Sequence, residues 1–365
     1  MNSPIDIHAG KTALAHIREH GLQAKDIAII PAAAGGPKGL ILQALDQWLF
    51  GEWLSSAPRE RSLIGASIGS WRMAAACHAN PVAGFQKLAE LYCEQRYSRM
   101  PSSHQVTEKI QHLLQQFVFG HEQEIVGHPT HRLHLIAARG RGLLHQPKNG
   151  LQTKAGFTAA SLANLAGRKH LAKHLERVVI SDARDTALWL KNKFDCFDTH
   201  FCPLTIENLI PALLASGTLP LIMEPVQHIP DAPMGTYWDG GIIDYHLALP
   251  YSRSSTETNG SLVLYPHFSD RIVPGWLDKS LAWRRANVGQ HRHWLDNVIM
   301  ISPSRTFVQS LPRGKLPDRK DFTYYGLNHD ARIGQWKIAI AESGRMRDAF
   351  AAFVERPDLS RVKSF

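Results

Sequence analysis

Cysteine is scarce in this sequence: Cys77, Cys93, Cys196 and Cys202 are all it has in 365 residues, and no two stand as C-x-x-C. That spacing gives neither a disulfide framework nor a thiolate metal motif, and it points to a reducing compartment. Long apolar runs are also missing. The most apolar stretch, 209–226, is broken by Pro211, Pro220 and Glu224, so no segment reads as a membrane-spanning helix. The chain opens on polar Met1-Asn-Ser-Pro-Ile-Asp6, without the apolar centre of a secretory signal. A cytoplasmic protein whose membrane contact is peripheral is expected.

Acidic charge is short as well. Asp and Glu number 32 against 41 Lys and Arg, for a net charge of +9 and a pI near 9.4. The excess favours an anionic partner. No Lys/Arg run gathers it into a tail, so a diffuse attraction to an anionic membrane surface is expected, and no nucleic acid. Twenty histidines raise the question of a metal. His170 and His174 lie four apart on an expected helix, and His128, His131 and His134 cluster. Neither group has a Cys or carboxylate at ligand spacing, and no H-E-x-x-H occurs, so neither metal nor cofactor is expected.

What is present is an ordinary globular composition, 44% hydrophobic and 20% charged, with no repeat, low-complexity tract or linker. The spacing predicts a helix over 9–21, a buried strand over 26–30 and a helix over 40–49 with one apolar face. Further strands are expected at 133–138, 178–180, 197–201, 262–265 and 298–301, with helices over 85–91, 110–119, 158–175, 206–216 and 329–355. Residues 140–156 read as a mobile loop. Strands alternating with helices imply a mostly parallel sheet covered by helices.

Three motifs carry chemistry. In Gly65-Ala-Ser67-Ile-Gly69 an apolar strand runs into a G-x-S-x-G turn and then a helix-forming segment, the setting of a nucleophile elbow. Ser67 is the candidate nucleophile, with Gly65 and Gly69 allowing close approach around it. Upstream, Gly35-Gly36-Pro37-Lys38-Gly39 follows a strand and opens a helix. It fails as a Walker loop, lacking Ser or Thr after Lys38, and as a dinucleotide fingerprint, lacking G-x-G-x-x-G. It remains an anion cradle to which Gly35, Gly36 and Lys38 contribute backbone N–H groups and Pro37 cannot. Downstream, Asp239-Gly240-Gly241 ends an expected strand, where an aspartate projects with little shielding.

In that order, and with Ala215-Ser216-Gly-Thr-Leu-Pro220 before the last, these motifs resemble the patatin-like phospholipase family across residues 26 to about 245. The resemblance implies one three-layer α/β domain over 1–365, its mostly parallel sheet covered by helices on both faces. It leaves a helical insertion at about 80–175 and a helical extension at about 328–365. It implies a lipid acyl hydrolase with Ser67 as nucleophile, Asp239 as its base and Gly35, Gly36 and Lys38 as the oxyanion hole. Gly65, Gly69, Gly240 and Gly241 would support the site. The expected partner is a phospholipid, lysophospholipid or other acyl ester.

The sequence departs from the family pattern at Ala34, at Pro37 and at Asp244-Tyr245-His246-Leu247. An acyltransferase or general carboxylesterase on the same residues, a catalytically silent membrane-binding module and a Ser-His-Asp hydrolase are the competing readings. His246 is read as structural or site-lining, Trp238 as packing, and Arg284, Arg285, Arg345 and Arg347 as solvated.

Overall fold

The computed structural model describes residues 3–185, 188–253 and 261–365. Among them, ten strands join one sheet. They are β1 (Ile5–Ala9), β2 (Ile27–Ala32), β3 (Arg61–Ala66), β4 (His131–Gly140), β5 (Leu175–Ser181), β6 (Thr199–Pro203), β7 (Tyr237–Asp239), β8 (Leu262–Pro266), β9 (Val298–Pro303) and β10 (Val362–Ser364). Their order is β10-β1-β9-β8-β2-β3-β4-β5-β6, and β7 pairs with β4. The centre is parallel: β9 with β8, β8 with β2, β2 with β3, and β3 with β4. Antiparallel pairs join β1 to β9, β5 to β4 and β7 to β4. Helices on both faces complete a three-layer α/β architecture.

The reason lies in the strand sequences. Ile27-Ala-Ile-Ile, Leu63-Ile64, Leu262-Val-Leu-Tyr and Val298-Ile-Met-Ile are runs without alternation, and nearly all of these side chains are buried. Only a sheet covered on both faces can hide such runs. Each buried Leu or Ile contributes about 1.5–3 kcal/mol.

Helix ends are set by local chemistry. Asn80 accepts the Ala83 N–H at 3.1 Å and starts Pro81–Cys93, with Pro81 in its first turn. Ser102 with Gln105 and Thr205 with Asn208 form capping boxes on Ser103–Val118 and Ile206–Gly217.

Several expectations change. Residues 80–175 do not form one insertion, because β4 lies inside them and pairs with β3, β5 and β7. Its residues 133–138, His134 included, are buried on both faces, so the strand belongs to the interior of the sheet. Residues 150–156 open the helix Gly150–Ala166 rather than a loop, with Asn149 accepting the Gln152 N–H at 2.9 Å. That helix stops at Gly167, whose φ is 152°, ahead of the 175 expected. The C-terminal helix is two, His329–Glu342 and Gly344–Glu355, broken at buried Ser343. β1, between β10 and β9, and β10, at the sheet edge, are short strands absent from the expected set, although Ile5-Asp-Ile-His-Ala9 alternates buried and half-buried residues. Arg284 is not simply solvated: it binds buried Asp278 at 2.8 Å. No helix among the described residues is long and apolar enough to cross a membrane.

Candidate active site

Ser67 stands where β3 turns into the helix Ile68–Ala76, with φ 56° and ψ −129°. A non-glycine residue holds such a backbone only where its surroundings impose it. Here they do. A Cβ on Gly69 would lie 1.8 Å from the Ala32 carbonyl oxygen, and one on Gly65 would lie 2.4 Å from Ser70 N. The two glycines let β2, β3 and the helix close around the turn. Ser216, at the end of the helix Ile206–Gly217, fixes it from the other side. Its hydroxyl accepts the Ser67 N–H at 2.9 Å and donates to Ile136 O at 2.6 Å. With that proton spent, the 2.7 Å contact to Ser70 has Ser70 as donor.

Strand register delivers Asp239. β3 ends with Ala66 opposite Ile136 on β4, and β7 pairs Asp239 with Ala137. β5 occupies the other edge of β4 through Gly140, so β7 takes the edge that β3 vacates. Residues 172 positions apart are thereby brought together: the Ser67 Oγ donates to Asp239 Oδ2 at 2.7 Å. Asp239 Oδ1 accepts the Gly241 N–H at 2.7 Å, and its own N–H donates to Thr218 O at 2.7 Å. Both residues are only 3% exposed. Burial raises the Asp239 pKa above the ordinary aspartate value, opposed chiefly by Arg319, whose Nη2 lies 3.9 Å from Oδ2. Gly240 has no room for a side chain, since its Cβ would meet Ile136 O at 2.2 Å.

The Gly-rich loop runs alongside. Gly36, with φ 58°, opens a tight helical turn, Gly36–Leu42, whose first N–H groups have no partner within the turn. The departures from the family pattern have structural roles. The Ala34 N–H donates to Tyr245 O at 2.9 Å, Asp244 is gripped by buried Arg177 at 2.6 and 2.9 Å, and buried His246 engages Arg271 O at 2.7 Å. Trp238 is fully buried, edge-on to Phe157.

Two cavities meet at the Ser67–Asp239 pair. The larger, about 340 Å³, takes in Ser67 and Gly36 and is walled by Trp71, Tyr92, Val106 and Ile110. The smaller, about 180 Å³, takes in Asp239, Gly35, Lys38 and Gly241. Gly35, Gly36 and Lys38 thus divide between the two. Arg319 and Leu219 line both.

The model of the patatin-like phospholipase family matches residues 35–250, more than half of the chain. The chain belongs to this family. A comparison with curated protein sequences gives no match. The patatin-like match spans the Gly-rich loop, Ser67 and Asp239, and it ends before β8. Arg319 and Lys279 reach the site from beyond it, and no motif in the sequence marks either. The part of Ser216 was also missed, although Ala215-Ser216-Gly-Thr-Leu-Pro220 flagged the segment.

The histidine groups singled out in the sequence do not come together as ligand sets. The group of His and carboxylate ligand atoms that does gather among the described residues is His78, His121 and Glu124, within 4.8 Å of one another. There His121 Nδ1 already engages the Glu124 carboxylate at 2.8 Å. His329 lines the large cavity, but its Nε2 is taken up by the Tyr97 backbone at 2.8 Å.

Proposed function

We propose that this chain is a serine acyl hydrolase that cleaves lipid esters, of phospholipid or lysophospholipid type, through Ser67, Asp239 and an acyl-enzyme intermediate. One observation carries the reading: the 2.7 Å hydrogen bond from the Ser67 hydroxyl to the Asp239 carboxylate, beside a largely apolar cavity. A serine paired directly with a buried carboxylate needs no histidine to lose its proton. An aspartate near its ordinary pKa of about 3.9 is a poor base, and burial makes Asp239 a stronger one.

In this mechanism Ser67 Oγ attacks the ester carbonyl carbon while its proton passes to Asp239. The oxyanion is held by N–H groups of Gly35, Gly36 and Lys38. The C–O bond to the alcohol breaks, and the alcohol oxygen takes the proton from Asp239. Water then gives a proton to Asp239 and attacks the acyl carbon, which releases the fatty acid as the proton returns to Ser67. Gly65, Gly69, Gly240 and Gly241 keep the reacting groups this close.

The acyl chain is assigned to the large cavity. Met100, Leu221, Ile222 and Leu327 line it while remaining 72%, 49%, 53% and 56% exposed, so its mouth presents apolar side chains to the surroundings. A rim of that kind, on a basic protein, suits peripheral contact with an anionic lipid surface.

The test is hydrolysis of p-nitrophenyl esters and phospholipids by wild type, Ser67→Ala and Asp239→Asn, with a fluorophosphonate label mapped by mass spectrometry. Activity lost in both variants, by a factor on the order of 10³ or more, and label on Ser67 are expected. Labelling elsewhere, or full activity in Ser67→Ala, overturns the assignment.

A further inference from the structure

The smaller cavity has an unusual lining. Lys38, Lys279 and Arg319 border it, and among the described residues neither lysine has a carboxylate within ion-pair distance. Aromatic rings position their charges instead. The Lys279 ammonium lies 4.1 Å from the Tyr245 ring centroid and 5.3 Å from that of Trp276, and Lys38 lies 5.4 Å from Phe268. The Arg319 guanidinium stands 5.9 Å from the Trp276 ring. Two carboxylates share the cavity, and both are engaged. Asp318 pairs with Lys315 at 2.9 Å and accepts the Lys320 N–H, and Asp239 holds Ser67 and Gly241.

Like charges facing one cavity repel, and an anion among them removes that cost. The proposed chemistry also fixes which part of the substrate lies here. The departing alcohol oxygen must take its proton from Asp239, which lines this cavity, whereas Ser67 faces the apolar one. The alcohol half of the ester therefore leaves through the basic side.

Resting on the hydrolase reading, we infer that Lys38, Lys279 and Arg319 form a phosphate-binding subsite for the alcohol half of the substrate. It selects head groups of net negative charge over phosphocholine, whose cation it repels, and over neutral esters. The depression of the Lys279 pKa to about 7, from burial first and then from Lys38 and Arg319, agrees with a site built to receive an anion. Lys38 lies inside the segment that matches the family, whereas Lys279 and Arg319 lie beyond it, so two of the three cations come from the C-terminal third of the chain.

The test has two arms. In the first, kcat/KM is measured for monomeric lysophosphatidate, lysophosphatidylcholine and monoacylglycerol of one acyl length, with wild type, Lys279→Gln and Lys279→Glu. Matched melting temperatures guard against misfolding. In the second, inorganic phosphate and glycerol 3-phosphate are titrated calorimetrically into Ser67→Ala, with and without Lys279→Glu. The wild-type preference for the anionic ester is expected to fall roughly tenfold or more in Lys279→Glu, with weaker binding of both phosphates.

Phosphate binding that depends on Lys279, with an unmoved substrate preference, assigns the site to free phosphate and overturns the head-group role. Absent or Lys279-independent binding, with an unmoved preference, overturns the subsite altogether. If wild type cleaves no ester and Ser67 takes no label while phosphate still binds through Lys279, the hydrolase reading falls and the anion site stands.

Discussion

The Ser216 hydroxyl accepts the Ser67 backbone N–H at 2.9 Å and gives its own proton to Ile136 O at 2.6 Å. One side chain thus ties the strained turn to β4 and to the helix Ile206–Gly217. Ser216→Ala leaves a buried N–H, a buried carbonyl and the Ser70 hydroxyl short of a partner. The expected cost is about 1–3 kcal/mol. Thermal unfolding checks this as a fall of a few degrees, and slower fluorophosphonate labelling of Ser67 reports the loosened turn.

Asp239 has a raised pKa, so its basic form is lost on acidification at a higher pH than an ordinary aspartate would give. The acid limb of kcat/KM is expected above that range. Arg319 works against the rise, so Arg319→Gln moves the limb further upward. A pH–rate profile of the two proteins reads the shift. A limb that moves down, or not at all, contradicts the Arg319–Asp239 coupling.

Asp239→Asn separates activity from stability. An unfolded aspartate releases its proton near pH 3.9, and folded Asp239 keeps it to a higher pH. Between those values the folded state binds more protons, so stability is full below the unfolded value and declines as pH rises through the folded one. Asparagine carries no such loss and can still accept the Gly241 N–H. The variant is expected to be inactive, to melt above wild type at pH 7–8, and to lose that advantage near pH 4. Melting curves at the two pH values decide it.

Two glycines, each closing one of the glycine motifs, should behave oppositely. At Gly69 an added Cβ meets the backbone of Ala32 at 1.8 Å, which cannot move without parting β2 from the helix. Gly69→Ala is expected to cost about 3 kcal/mol or more, with loss of soluble, labelled protein. At Gly39 the nearest atoms are side chains at 3.4 and 3.5 Å, ordinary contact. Gly39→Ala should change the melting temperature little.

Much of this molecule could be read from the chain alone. Ile27-Ala-Ile-Ile and Val298-Ile-Met-Ile announce strands buried on both faces, because a run without alternation cannot face water on either side. Gly65, Gly69 and Gly240 are legible for the same kind of reason: they mark places where backbone approaches backbone, a local demand that residue type must meet. The candidate site could be named as three motifs in order. What the sequence could not supply was the edge of β4 that β3 vacates and β7 fills, since register is a property of three strands together. Nor could it show that Lys279 and Arg319 face Asp239, because an isolated lysine or arginine looks alike on a solvated helix and beside a cavity. Local sequence determined which residue types stand at the turn and in the strands, through sterics and burial that act over a few positions. The tertiary structure alone decided which distant charges share a cavity with them, because electrostatic neighbourhood depends on distance in space and not on distance along the chain.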